Sequence, residues 1–188
     1  MKTIQSKIEE ILKENGFIML NNNSTYPSIC DYGGGWEEYV KLIEEKKGFS
    51  SILIDNKTTL LSPTLYYALK ESRKGEELEN NEERLMEFIE SNQPVSMNVV
   101  KMCVFMDKIE IKKTVKSLQK KFMITVLREG MRLNKNWGTY LWGTSKKWEE
   151  IHENLYGEIE KKDYRKVIDK MLKGKVSERF LNSLYTRD

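Results

Sequence analysis

Four lysines between residues 108 and 121 have a spacing that places them on one side of a helix. Lys112 and Lys116 lie one turn apart, Lys120 continues the row, and Lys113 sits beside it. One helical turn rises about 5.4 Å, a step that suits the successive phosphates of a nucleic-acid backbone. Arg128, Arg132 and Lys135 follow in a polar stretch from which a side chain can reach a minor groove or a neighbouring phosphate. The chemistry implied is attraction between cations and a polyanion rather than the making of a bond. Lysine outnumbers arginine, and an ammonium is a point charge, whereas a guanidinium reads guanine edges through two parallel hydrogen bonds. These residues therefore point to double-stranded DNA bound with low sequence specificity. The competing explanation is a lysine face kept for solubility.

The charge distribution favours the polyanion. The chain has 188 residues and a net charge of only +3. Between Lys108 and Lys147, however, eleven bases stand against two acids, a local charge of +9. Between Glu71 and Glu90, eight acids stand against three bases, a local charge of -5. A basic excess confined to one segment implies an acidic partner more readily than the average does.

Other candidate chemistry is sparse. Gly33-Gly34-Gly35 precedes a helix, but no Gly-Lys-Ser/Thr completes a phosphate loop, so a turn is the expectation. His152 is the only histidine and has no paired nucleophile motif. Cys30 and Cys103 are too few and too far apart for a disulfide framework or a zinc ligand set. The acids of residues 76–90 lack the Asp/Gly pattern of a calcium loop. Of the four tryptophans only Trp137 is a candidate for stacking on a base. No metal and no cofactor is implied. The start of the chain, MKTIQSKIEEILKEN, carries glutamates where a secretory segment needs apolar residues. There is no unbroken apolar run of membrane-spanning length, and with reduced thiols a cytoplasmic location is expected.

The elements that must position the lysines can be read from periodicity. Thr3–Asn15 and Trp36–Lys46 are expected helices, Phe17–Leu20 a short apolar run, and Phe49–Ile54 with Thr58–Leu61 a hairpin about Asp55-Asn56-Lys57. Ser62-Pro63 starts a further helix. The acidic stretch Ser72–Asn81 reads as a linker. Glu82–Glu90 is then a helix, broken at Asn92-Gln93-Pro94, with Ser96 capping a short helix over Met97–Val104. Asp107, with Glu110 three residues on, caps a third helix whose Ile111, Val115, Leu118 and Phe122 form one buried stripe opposite the lysines. Two-residue periodicity follows at Ile124 and Val126 and again at Tyr140 and Trp142, around the loop Glu129–Gly138.

Helix, break, short helix, turn, basic helix and hairpin is the order of a winged helix-turn-helix, with the lysine helix as recognition helix and Arg128–Trp137 as wing. The expected fold class is α+β and mainly helical. Residues 1–72 form an N-terminal α+β region with a hairpin, 82–144 the winged helix-turn-helix, and 145–188 C-terminal helices. Those helices span Ser145–Tyr156, Lys161–Lys173 and Val176–Tyr185, with apolar stripes at Trp148, Ile151 and Leu155 and at Val167, Ile168, Met171 and Leu172. Winged helices often pair into homodimers, although no heptad seam is present here.

The run RLMEFIESNQPVSMNVVK, followed by VKSLQKKFMITV and WGTYLWGTSKKWEE, is similar to winged-helix proteins related to the bacterial DNA glycosylase AlkZ. The likeness is carried by Leu118-Gln119, by the strand from Ile124 to Val126, and by the aromatic segment from Tyr140 to Trp148. The resemblance implies DNA binding through a winged helix, in a repair or regulatory setting. Glycosylases of that family place water with a Gln-hydrophobic-Gln or Gln-hydrophobic-Asp motif. Here Gln5, Gln93 and Gln119 are followed two residues later by Lys7, Val95 and Lys121, so the short noncatalytic relatives are the nearer analogy. Two alternatives stay open: a divergent glycosylase acting on alkylated DNA, and a winged helix used for protein–protein contact.

Overall fold

A computed structural model describes residues 2–150 and 163–185. The Thr3 hydroxyl accepts the Ser6 amide at 3.1 Å and starts α1 (Ile4–Asn15), and Gly16 stops it in the left-handed conformation that glycine adopts without steric cost. After β1 (Phe17–Met19) and a 3-10 turn (Ile29–Tyr32) comes α2 (Trp36–Glu44). β2 (Phe49–Ser51) and β3 (Thr59–Leu61) pair antiparallel, and β1 completes a three-stranded sheet in the order β1-β3-β2. The expected hairpin is present, with shorter strands, and its turn places Asp55 and Asn56 at positive φ, which these two residue types tolerate. Ser62 caps α3 (Pro63–Glu71), with proline in the first turn.

The stretch expected to be a linker, Ser72–Asn81, contains no buried residue, yet parts of it make contacts. Arg73 and Glu76 pair at 3.1 Å with side chains only 12% and 9% exposed, and Leu78 lies against the core. α4 (Asn80–Asn92), β4 (Val95–Ser96), α5 (Met97–Cys103) and α6 (Lys108–Lys120) follow. β5 (Ile124–Asn134) and β6 (Trp137–Thr144) then form a long hairpin, and β4 joins it to give a second antiparallel sheet in the order β4-β6-β5. The residues expected to form the loop 129–138 are mostly strand, joined by the two residues Lys135 and Asn136, with Asn134 Oδ1 accepting the Asn136 amide at 2.9 Å. α7 (Ser145–Glu149), α8 (Tyr164–Leu172) and α9 (Glu178–Ser183) end the described chain. Ile151, His152 and Leu155 lie outside the described residues. The architecture is thus mixed α and β with two small antiparallel sheets. No helix among the described residues is long and apolar enough to cross a membrane.

Two hydrophobic cores hold these elements, and each draws on distant parts of the chain. One gathers Ile8, Tyr39 and Ile43 with Leu85, Ile111, Leu118 and Trp142. The other gathers Phe49 and Tyr66 with Phe122, Trp148, Ile168 and Leu172. In the second, the Phe49 ring stacks on Tyr66 at 3.8 Å and meets Trp148 edge-on at 5.1 Å, contacts worth roughly 0.5–1.5 kcal/mol each beyond burial. A bulge in β5 opposes Val126 and Arg128 to the adjacent residues Trp142 and Leu141, which leaves Leu127 free to turn into this second core.

α6 is anchored at both ends. Asp107 Oδ1 accepts the amides of Ile109 at 2.7 Å and Glu110 at 2.8 Å, and Glu110 returns a bond to the Asp107 amide, the capping box expected from the sequence. At the other end Phe122 takes a positive φ of 57°, with its amide on the Gln119 carbonyl and the Met123 amide on that of Leu118. This is a helix stop normally made by glycine. Phe122 therefore leaves the helical stripe to which its spacing assigned it and enters the second core, edge-on to Phe49 and Tyr66. Between them Lys121 Nζ donates to Glu82 Oε2 at 2.6 Å and to the Glu77 carbonyl at 2.9 Å, which ties the end of α6 to the start of α4.

Candidate nucleic-acid interface

The buried stripe of α6 determines which side chains its outer face offers. Ile111, Val115 and Leu118 are inside, and Lys112, Lys113 and Lys116 are exposed, while Lys120 is half-buried. None of the four has an ion-pair partner among the described residues. Neither the N-terminal region nor the described C-terminal helices cover this face. Next to it, Met97, Ile111, Val115, Gln119 and Trp142 floor a groove of about 440 Å3 edged by Lys101, Lys108, Lys112 and Lys116. Lys101 and Lys108 extend the basic surface beyond the residues that the sequence pattern singled out. Lys101 belongs to α5, so only the packing of two helices brings it to the row.

The three cations expected on a wing lie on the β5–β6 hairpin and divide. Arg128 is exposed beside the bulge, and Lys135 is exposed at the hairpin tip. Arg132 is engaged within the molecule: its guanidinium grips both oxygens of Glu129, with Nη2 donating to Oε2 at 2.8 Å. The same carboxylate accepts the Trp36 indole N–H, and the Glu129 amide donates to Glu44 Oε1 at 3.1 Å. The Arg132 guanidinium, with help from the Trp36 indole, holds the Glu129 carboxyl below its usual range, and Glu129 raises the Arg132 pKa in return. The β5–β6 hairpin is thereby clasped to α2. Trp137 is half-exposed and lies 5.4 Å from the Trp36 ring, and Tyr140 stacks on Trp36 at 5.1 Å.

A second cleft, of about 790 Å3, runs between the β5–β6 hairpin and the start of α5, and Glu129 and Asn98 are among its lining residues. Glu129 is the acid there. Its oxygens are taken by Arg132 and Trp36, and its lowered pKa is opposite to what a general base poised near neutrality needs. No group of three or more His, Cys, Asp or Glu among the described residues is placed to hold a metal ion. At Gly33–Gly35, the Gly35 amide is occupied by Glu38 Oε2 at 2.8 Å, so the chain's own carboxylate stands where an anion would sit. In comparisons with known proteins the chain matches no family model, no curated protein and no solved structure.

Proposed function

We propose that residues 82–144 are a winged helix-turn-helix and that the chain is a noncatalytic, cytoplasmic, double-stranded-DNA-binding protein with a regulatory or repair-associated role. The observation that carries this reading is the unpartnered, solvent-facing row Lys112, Lys113 and Lys116 on a helix capped at both ends. Backbone phosphates spaced along a groove are the complementary surface for such a row. Arg128 and Lys135 on the long hairpin supply further phosphate contacts, and Arg132 joins them only when it is released from Glu129. The α4-β4-α5-α6-β5-β6 order and the three-stranded β4-β6-β5 sheet support the winged-helix reading. The likeness of Leu118-Gln119, Ile124–Val126 and Tyr140–Trp148 to AlkZ-related winged helices belongs to the same proposal.

The test is fluorescence anisotropy with a labelled duplex of mixed sequence over a series of salt concentrations. Seven exposed cations, Lys101, Lys108, Lys112, Lys113, Lys116, Arg128 and Lys135, give an expected slope of log affinity against log salt of about -6, at roughly -0.9 per phosphate contacted. Absence of binding at low salt overturns the proposal and leaves protein–protein contact as the use of this surface.

A further inference from the structure

We infer that Ile109 reads thymine methyl groups in the major groove, so that the protein favours A·T-containing duplex. The inference rests on the DNA-binding reading above and adds a base preference to it. Ile109, Lys112, Lys113 and Lys116 fall at i, i+3, i+4 and i+7 and so share one face of α6, the apolar residue at its N-terminal end and the cations beyond. Ile109 is 81% exposed, and Met102 and Phe105, at the end of α5 and in the turn before α6, are 77% and 91% exposed. The inner stripe of α6 is complete without them. A solubility role accounts for the lysines but gives no reason for three large exposed apolar side chains within eight residues, in and around the turn that leads into this helix.

The N-terminal residues of a recognition helix are the ones that meet base edges, and the thymine C5-methyl is the apolar group that the major groove presents. The two acids closest to Ile109 in the chain are committed to the capping box, Asp107 accepting two amides of the helix end and Glu110 the Asp107 amide, and the exposed lysines Lys108, Lys112, Lys113 and Lys116 outnumber them. A second copy docked symmetrically on this face would set one lysine row against the other, whereas a polyanion satisfies the cations and offers methyl groups to the apolar end.

The experiment compares two duplexes of identical sequence, one with every thymine replaced by uracil, which removes only the 5-methyl. Each methyl contacted is worth about fourfold in affinity, so the wild type is expected to bind the thymine duplex about fourfold to fifteenfold more tightly. Ile109→Ala, at an exposed position that leaves the cores intact, brings the two affinities together and leaves the salt slope unchanged. Equal wild-type affinities for the two duplexes overturn the methyl reading while DNA binding stands, as does an undiminished preference in Ile109→Ala. If neither duplex binds, the DNA reading itself fails and takes this inference with it.

Discussion

Replacing Lys121 with methionine tests whether α6 is held in place by its ion pair to α4. Glu82 is 3% exposed and Lys121 Nζ lies 2.6 Å from its carboxylate, with the lysine side chain 18% exposed. Burial pushes the Glu82 pKa up, but hydrogen bonds from Lys121, Ser117 and the Glu79 amide outweigh it, and the net direction is down. Removing one partner of a buried pair costs about 3–5 kcal/mol, and the partial exposure of Lys121 puts Lys121→Met near the low end, at roughly 3 kcal/mol. That is about a hundredfold in the folding equilibrium. A carboxyl whose pKa is depressed by folding adds stability above its unfolded value of 4.5, and this is lost as pH falls through the folded value. In Lys121→Met the sign reverses, because Glu82 is then buried without its cation and is relieved by protonation. The difference between wild type and variant is therefore greatest near neutrality and narrows as pH falls, first through the raised Glu82 pKa of the variant down to 4.5 and then through the depressed one of the wild type. Urea unfolding followed by tryptophan fluorescence at pH 7 and pH 4 measures both, and Glu82→Gln added to Lys121→Met should recover most of the loss. A loss under about 1 kcal/mol at pH 7, or a pH-independent difference, would refute the reasoning.

Two further outcomes follow from the wing and the second sheet. Glu129→Gln removes the carboxylate that grips Arg132, so DNA affinity should rise and the salt slope steepen by about 0.9, the value of one added phosphate contact; an unchanged slope in the anisotropy series would show that Arg132 does not reach the backbone. Gly143→Ala builds a Cβ that collides with Leu127 Cδ1 and meets Gln93 Oε1 at 2.8 Å, so thermal or urea unfolding should show a loss of about 1–3 kcal/mol from overpacking.

The helices of this chain were legible wherever a cap and an apolar stripe coincided. Thr3 with Gly16, Ser62-Pro63, Ser96 and Asp107 with Glu110 all mark ends within the described residues. What stayed hidden is what depends on partners far away in sequence. β4 is two residues long and has no periodicity of its own; it is a strand because Val95 and Ser96 pair with Trp142 and Leu141. The end of α6 lacks the glycine that usually announces a helix stop, since burial of the Phe122 ring among Phe49, Tyr66 and Arg73 offsets the cost of its positive φ. The lysine row was readable from spacing alone. The engagement of Arg132 was not, because its acid, Glu129, is itself positioned by Trp36 from another part of the chain. Ile109 was overlooked because the pattern separates apolar from basic residues and assigns apolar ones to the core.

The central claim is that the outer face of α6 contacts DNA phosphates. It is tested most directly by the salt dependence of duplex binding in the triple variant Lys112→Ala, Lys113→Ala, Lys116→Ala, measured beside the wild type. All three side chains are exposed and unpaired among the described residues, so the fold should be unaffected. Removing three contacts should flatten the slope by about 2.7 and leave a residual near -4 from Lys101, Lys108, Arg128 and Lys135. An unchanged slope in a folded variant would mean that DNA, if bound, lies elsewhere on the molecule, and would contradict the account.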